Sequence, residues 1–448
     1  MQKLTPLAVI ALLASLLSHS AFAASSEWPQ WRGPNRDGLS TETGLLKEWP
    51  KDGPPLLWKA SGLGAGFSGV SVAGQRIFTM GDQPDGNHVL ALNCADGKLL
   101  WSTKLGKAGA PGWGGFKGPR ATPSVDGGLV FALGQFGEVI CVNAADGKEV
   151  WRKHLTTDLG GPLMEWGFSE SPLVDGDQVL FTPGGPKGTM VALNKKTGGL
   201  IWQSKDWTDN AHYSSIIVAE IDGLRHYIQL TDKSIAGVAP EDGKVLWKAA
   251  RKGSTAVIPT PICADGYVYT TSGYGIGCNL FKVAKGSAFT ATQVYANKVM
   301  VNHHGGVVKL GEYLYGHSDS KGWTCQKFQS GEARWQEKDK RDYQPQAYRI
   351  PDDIKDVQDD ISRAILACEE CGKNYKVVAQ ELQFHRNIGM PVPRKCFDCR
   401  HHDRMALRNP RKLWARQCAK CQKAIQTTYP PGRPETVYCE KCYLSEVY

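Results

Sequence analysis

Beyond its first two dozen residues, this 448-residue chain has no apolar run long enough to cross a bilayer as a helix, a crossing that takes about 20 residues. No transmembrane span is therefore expected. An excess of one charge is also slight, with 53 Lys and Arg against 44 Asp and Glu. A net charge of +9 over this length does not by itself call for a nucleic-acid partner. No single segment gathers the carboxylates, histidines or hydroxyls of an acid/base constellation, so no catalytic residue is assigned. What the chain does have is glycine and tryptophan, 50 and 14 residues respectively. Glycine-rich turns between short apolar segments are what a many-stranded all-β protein needs.

The first residues read as an export signal. Lys3 precedes the apolar run Leu7 to Leu17, and Ala21-Phe22-Ala23 is a small-x-small cleavage site. Residues 1–23 are expected to be removed, which places the rest in the periplasm or outside the cell. The 13 cysteines divide sharply. Cys94, Cys141, Cys263, Cys278 and Cys325 are scattered singly, and Cys141 and Cys263 fall on apolar strands, as buried small hydrophobes do. The other eight form four C-x-x-C pairs near the C-terminus. Exported proteins use cysteine for disulfides, whereas reduced cytosol favours thiolate metal sites. The two parts therefore point to different compartments.

A repeat dominates the first part. Asp96-Gly97-Lys98-Leu99-Leu100-Trp101 aligns with Asp146-Gly147-Lys148-Glu149-Val150-Trp151, Thr197-Gly198-Gly199-Leu200-Ile201-Trp202, Asp242-Gly243-Lys244-Val245-Leu246-Trp247 and Ser330-Gly331-Glu332-Ala333-Arg334-Trp335. Leu56-Leu57-Trp58 resembles the end of an earlier copy, and Tyr295 fills the gap in the series. The period of roughly 40–50 residues is that of one four-stranded propeller blade. Within each unit an inner strand leads to Asp-Gly, as in Thr122-Pro123-Ser124-Val125-Asp126-Gly127. Such a pair tolerates the positive φ of a tight hairpin. The recurring tryptophan is expected to pack between adjacent sheets.

These Asp-Gly-Lys-x-x-Trp units resemble the PQQ-type (pyrroloquinoline-quinone-type) β-propeller repeat. Trp28-Pro29-Gln30-Trp31-Arg32-Gly33-Pro34-Asn35-Arg36-Asp37-Gly38 resembles the opening of exported members. The likeness covers roughly residues 27–338. The family includes quinoprotein alcohol dehydrogenases and non-catalytic scaffolds, and its rings usually hold seven or eight blades. The enzymes share an adjacent Cys-Cys pair and a calcium-bound carboxylate beside the cofactor. No adjacent Cys-Cys occurs here. The expectation is a binding scaffold without PQQ, taking a protein or small ligand at one propeller face; a PQQ-dependent dehydrogenase is the alternative. His303-His304-Gly305-Gly306 is a candidate site on a loop. Trp113-Gly114-Gly115-Phe116 and Trp166-Gly167-Phe168, in loops that open successive blades, are candidates for a binding funnel.

After Trp335 the repeat stops. Asp352 to Asp360, with Ile354, Val357, Ile361, Ile365 and Leu366, reads as a short amphipathic helix. A C-x-x-C turn puts two thiolates on one side of a loop, and two turns supply the tetrahedral shell that Zn²⁺ prefers. Cys368, Cys371, Cys396 and Cys399 are expected to take one zinc and Cys418, Cys421, Cys439 and Cys442 a second; an interleaved pairing remains open. The surroundings of these pairs resemble a bacterial zinc-ribbon family of undefined activity. Arg394, Lys395, Arg400, Arg404, Arg408, Arg411, Lys412 and Arg416 form a basic strip, near Trp414 and Tyr429. It reads either as a nucleic-acid contact or as a solvated face offsetting two anionic centres.

The expected organisation is a signal peptide (1–23), PQQ-like blades (24–338), a linker with a short helix (339–366) and a double Cys₄ domain (367–448). The fold class is mainly all-β: an incomplete propeller of about six four-stranded blades, followed by a small zinc-ribbon pair with short helices. A truncated exported propeller joined to an unrelated zinc module, by gene fusion or otherwise, accounts for the conflict of compartments. A native two-domain protein is the alternative.

Overall fold

The computed structural model describes residues 27–50, 53–112, 116–338, 348–406, 408–409 and 412–447. The signal-peptide segment, Trp113-Gly114-Gly115, Arg411 and residues 339–347 of the linker lie outside the described residues. Two compact units divide between Asp339 and Lys340. Among the described residues, no helix is long and apolar enough to cross a membrane.

Among its described residues, the first unit contains six antiparallel sheets, each of four strands in sequential order. They are blades 1 to 6, at residues 71–106, 124–154, 173–203, 217–250, 262–297 and 308–337. The six-bladed, four-stranded reading of the sequence is borne out. Blade 2 is typical, with strands Ser124–Asp126, Leu129–Leu133, Glu138–Asn143 and Glu149–His154. In such a meander the first and third connections share one end of the blade. Both Asp-Gly turns of the repeat therefore lie at that end, and the long loops that lead from one blade to the next lie at the other. Gly127 and Gly128 have φ of 54° and 81°, the left-handed pair that matches the twist of a two-residue hairpin.

The tryptophan has a stereotyped partner. Trp58, Trp101, Trp151 and Trp202 donate their indole N–H to the carbonyls of Cys94, Ala144, Lys195 and Pro240, at 2.8–3.1 Å. Tyr295 places its hydroxyl 2.8 Å from the Phe328 carbonyl, the same position one blade on. Each ring lies on the next blade's turn glycine: a Cβ on Gly147 would sit 2.6 Å from Trp101, and Gly97, Gly198, Gly243 and Gly331 face Trp58, Trp151, Trp202 and Tyr295 likewise. The glycine of the motif is thus required twice, by a φ near 70° and by the ring above it. Trp247 departs from the pattern, bonding His226 of its own blade.

Opposite the ring, the third strand carries Ala91, Cys141, Ala192, Gly237 or Cys325. Small residues make room for the indole, which explains why single cysteines recur here. Cys141 is fully buried, and burial pushes its thiol up to about 12.

The second unit is a duplication in structure. A hairpin, Leu366–Ala367 with Asn374–Tyr375, precedes two helices, α1 (Ala379–Ile388) and α2 (Phe397–Ala406). A second hairpin, Trp414–Gln417 with Ala424–Thr427, precedes α3 (Glu440–Val447). The expected helix before Cys368 is corrected. Residues 352–366 form two single 3₁₀ turns, Ile354–Asp356 and Asp359–Ser362. Aspartate competes with the helical backbone for its own N–H groups, and the Asp353 carboxylate accepts from the Lys355 N–H. Ile354, Val357, Ile361 and Leu366 are nevertheless buried, in one cluster with Leu382 of α1.

Candidate functional sites: the propeller axis and the cysteine clusters

The opening segment, residues 28–38, runs along the propeller axis and touches every blade. Trp28 pairs with Val72 of blade 1, and the Pro29 carbonyl accepts from Val125 of blade 2. Arg36 donates to the Ser171 and Pro172 carbonyls at blade 3, and to Ile216 at blade 4. The Trp31 indole reaches Thr260 at blade 5, 3.0 Å away, and Arg32 donates to the Val307 carbonyl at blade 6, at 2.7 Å. Both arginines are buried and have left-handed backbones, with φ of 63° and 57°. That conformation is unfavourable for a long side chain, and these bonds hold it.

A hydroxyl belt links the lead-in segments around the axis. Ser68 donates to the Ala121 carbonyl, the Thr122 N–H to Ser171, the Ser171 N–H to Ser215, and Ser214 to the Pro259 carbonyl, at 2.7–3.0 Å. Glu170 is buried within this belt. It accepts from the Thr182 backbone and, at 2.7 Å, from the Thr182 hydroxyl, and Gln229 lies 3.3 Å away. Burial raises its carboxyl to about 7, opposed by the Thr182 bonds and by the charge of Arg36. Burial in turn lowers Arg36 to about 9, partly offset by Glu170.

Above the belt, the long-loop end carries aromatics from several blades. Phe67 meets Phe116 edge-on at 6.4 Å, Trp166 meets Tyr213 at 6.1 Å, and Tyr274 meets His303 at 4.4 Å. Arg120 ties two loops together by donating to the Trp166 and Phe116 carbonyls at 2.8 and 2.9 Å. Phe67, Phe116 and Tyr274 are exposed. Of the funnel residues read from sequence, Phe116 and Trp166 lie at this end, while Phe168 is buried core. His303 and His304 stack at 3.9 Å, and burial first, then His304, lowers the His303 imidazole. They belong to no metal-capable group among the described residues. Neither Glu170 nor the axial role of the two arginines is anticipated by the sequence reading. A signal existed for Glu170: it stands where the aligned units carry Ala121 and Pro259.

In the second unit the cysteines gather as two sets of four, Cys368/Cys371/Cys396/Cys399 and Cys418/Cys421/Cys439/Cys442, with all sulfurs of a set within 4.8 Å of one another. The pairing is sequential, not interleaved. Every cysteine of the chain is a free thiol. Within each set a hairpin turn gives two sulfurs and a helix start gives two, since α2 begins one residue after Cys396 and α3 one residue after Cys439. The positive end of each helix thereby faces the thiolates. Cys371–Cys396 and Cys421–Cys439 sulfurs lie 3.6 and 3.7 Å apart. A tetrahedral Zn–S₄ shell with bonds of about 2.3 Å has edges of about 3.8 Å, so the donors fit that ion. Backbone N–H groups of Cys371 and Cys396 lower the Cys368 thiol to about 6. At Cys418, burial is outweighed by N–H groups of Cys421, Cys439 and Lys420, again giving about 6.

Three residues of the basic strip form ion pairs inside the unit. Arg394 pairs with Asp352 and Glu369, Lys395 with Glu370 and Asp403, and Arg400 with Glu381. Lys412 lies over the Trp414 ring.

Six such blades, with their aromatic–glycine stacking, define the first unit as a PQQ-type β-propeller, and the two Cys₄ groups fit zinc-ribbon-like pairs. The family described as outer membrane protein assembly factor BamB matches residues 85–337, more than half of the chain, and the chain belongs to it. Among individual relatives, quinoprotein alcohol dehydrogenase PedH of Pseudomonas putida is 27% identical over 218 residues, covering 45% of this chain and 31% of its own length. Outer membrane protein assembly factor BamB of Yersinia pestis is 23% identical over 239 residues, covering 49% and 55% respectively. The chain thus spans about a third to a half of these curated relatives. Of solved structures, BamB from Moraxella catarrhalis is similar over 63% of this chain and 77% of that one, at 17% identity and a TM-score of 0.45. Quinohemoprotein alcohol dehydrogenase from Comamonas testosteroni is similar over 70% and 73%, at 12% identity and a TM-score of 0.39. The relatives thus include both an assembly factor and dehydrogenases.

Proposed function

We propose that this protein is a periplasmic protein-binding scaffold whose propeller presents the long-loop end, with Phe67, Phe116, Arg120, Trp166 and Tyr274, to its partner. The observation that carries this reading is the axial segment. A flat quinone bound on the axis would need the volume that Trp31, Arg32 and Arg36 occupy, and these arginines spend their N–H groups on backbone carbonyls. This filled axis argues against PQQ as the ligand. Exposed aromatics around one tethered arginine suit a polypeptide surface instead. By likeness to the family, the partner belongs to outer membrane protein assembly. The test is reconstitution with PQQ and calcium followed by dye-linked oxidation of primary alcohols. No turnover is expected, and turnover would overturn the scaffold reading. A photo-crosslinker at Phe116 is expected to trap an assembly component, and at exposed Leu200, on an outer strand, none.

For the second unit we propose one structural zinc in each Cys₄ group. The near-tetrahedral sulfur spacing supports it. Metal analysis is expected to give two zincs per chain, and Cys418→Ser to leave one.

A further inference from the structure

Each blade has a trailing face that covers the next blade. In blade 2 it is the cross-strand row Ser124–Phe131–Cys141–Trp151. The rings of Phe131 and Trp151 lie 6.1 Å apart. The same row in blade 6 is Val308–Tyr315–Cys325–Trp335, with Tyr315 and Trp335 at 6.3 Å. The residues are arranged alike, but their covering differs. Trp151, Trp202 and Trp247 are 8%, 6% and 3% exposed, whereas Trp335 is 46% exposed. Strand alternation places Trp323, two residues before Cys325, on the same face. Leu310, two residues after Val308, joins them. These two are 56% and 60% exposed. Blade 6 therefore presents an aromatic sheet face built like five covered ones and left open.

We propose that this face docks a further four-stranded blade of the same repeat type, supplied by a second polypeptide, with a turn glycine under Trp335 and a turn carbonyl accepting its indole N–H. The inference does not rest on the scaffold reading of the long-loop end. Its warrant is continuity with an interface that recurs through the propeller. That interface also says what the occupant must carry, namely an Asx-type turn with glycine at positive φ and an apolar leading face. A second copy of this chain does not meet the requirement. Its turns at Gly97, Gly147, Gly198, Gly243 and Gly331 already lie under Trp58, Trp101, Trp151, Trp202 and Tyr295. Blade 1 in particular is closed to Trp335, because Trp58 holds the Cys94 carbonyl.

The test uses the full chain labelled with 5-fluorotryptophan, its Trp335 resonance assigned through Trp335→Phe. The probe is a polypeptide of residues 119–203, blades 2 and 3 of this same chain, whose leading face and turn receive Trp101 here. Adding it is expected to shift the Trp335 resonance and remove its solvent-isotope effect. Trp335→Ala is expected to weaken binding by at least about tenfold, as loss of a central aromatic anchor does. A second form of the chain carries residues 119–203 inserted after Lys338. Protection of Trp335 in that form but not with the separate probe, its own fold verified by slowed hydrogen exchange in both blades, would overturn docking in trans. Protection in neither would overturn the face as a blade-docking surface. If the unmixed chain proves to be a dimer that Trp335→Asp dissociates, a second copy is the occupant and the proposal fails.

Discussion

In the propeller, cohesion comes from large side chains passed from one blade to the next. In residues 412–447 almost nothing is buried: among the described residues there, only Cys418 and Cys442 are. The first Cys₄ half lies between, since the 3₁₀ turns and α1 give it a small apolar cluster. The contrast teaches where the free energy of each region must come from. A blade gains it by removing apolar area from water, whereas the last 36 described residues bury too little for that, and the proposed ligation of their sulfurs would have to supply it.

The sharpest way to break this comparison is to remove metal. A strong chelator is expected to abolish hydrogen-exchange protection throughout residues 412–447, because structural zinc contributes on the order of 10 kcal/mol. Protection in the blades should not change. Next in size, Trp151→Ala should destabilise the propeller by about 3–5 kcal/mol in denaturant melts, as cavities left by large aromatics do. Gly147→Ala should cost about 1–3 kcal/mol through its left-handed backbone and the Trp101 ring above it. Gly127→Ala, with nothing within 4 Å of its added Cβ, should cost about 1 kcal/mol.

The titration of Glu170 belongs beside Trp151→Ala in size. Its folded carboxyl keeps a proton to about 7, while the unfolded one releases it near 4.5, so the folded state binds more protons between these values. Stability should therefore fall as pH rises from about 4.5 to about 7, by about 3 kcal/mol, and level off beyond. Glu170→Gln should flatten that slope in thermal melts across the same range. The smallest effect is expected at Trp335→Ala, under about 1 kcal/mol in the isolated chain, because its ring is already half in water. A loss there as large as at Trp151 would mean that the two faces are equally covered.

Much of the propeller was legible because its order is local. Aspartate, glycine and tryptophan stand at fixed offsets in each unit, and a two-residue hairpin or a facing indole imposes those offsets directly. The sulfur sets were legible as chemistry, but their pairing was not, since sequential and interleaved spacings are both compatible with a ribbon. The helix expected over residues 352–366 failed because apolar periodicity was weighed above the backbone competition of five aspartates. The axial segment was recognisable as a motif and opaque as a structure. No periodicity reveals that Arg36 will meet carbonyls 135 and 180 residues away.

That segment has a kinetic consequence. Its bonds to Val72 and Val125 can form as soon as the first two blades exist, but the Arg32 bond to Val307 spans 275 residues. Closing so long a loop is slow, and chains dominated by such separations fold slowly. The earliest residues of the propeller to be made are thus the last to be satisfied. Until blade 6 arrives, Arg32, whose folded backbone is left-handed, lacks its Val307 carbonyl, and interrupted synthesis would strand the chain in that state.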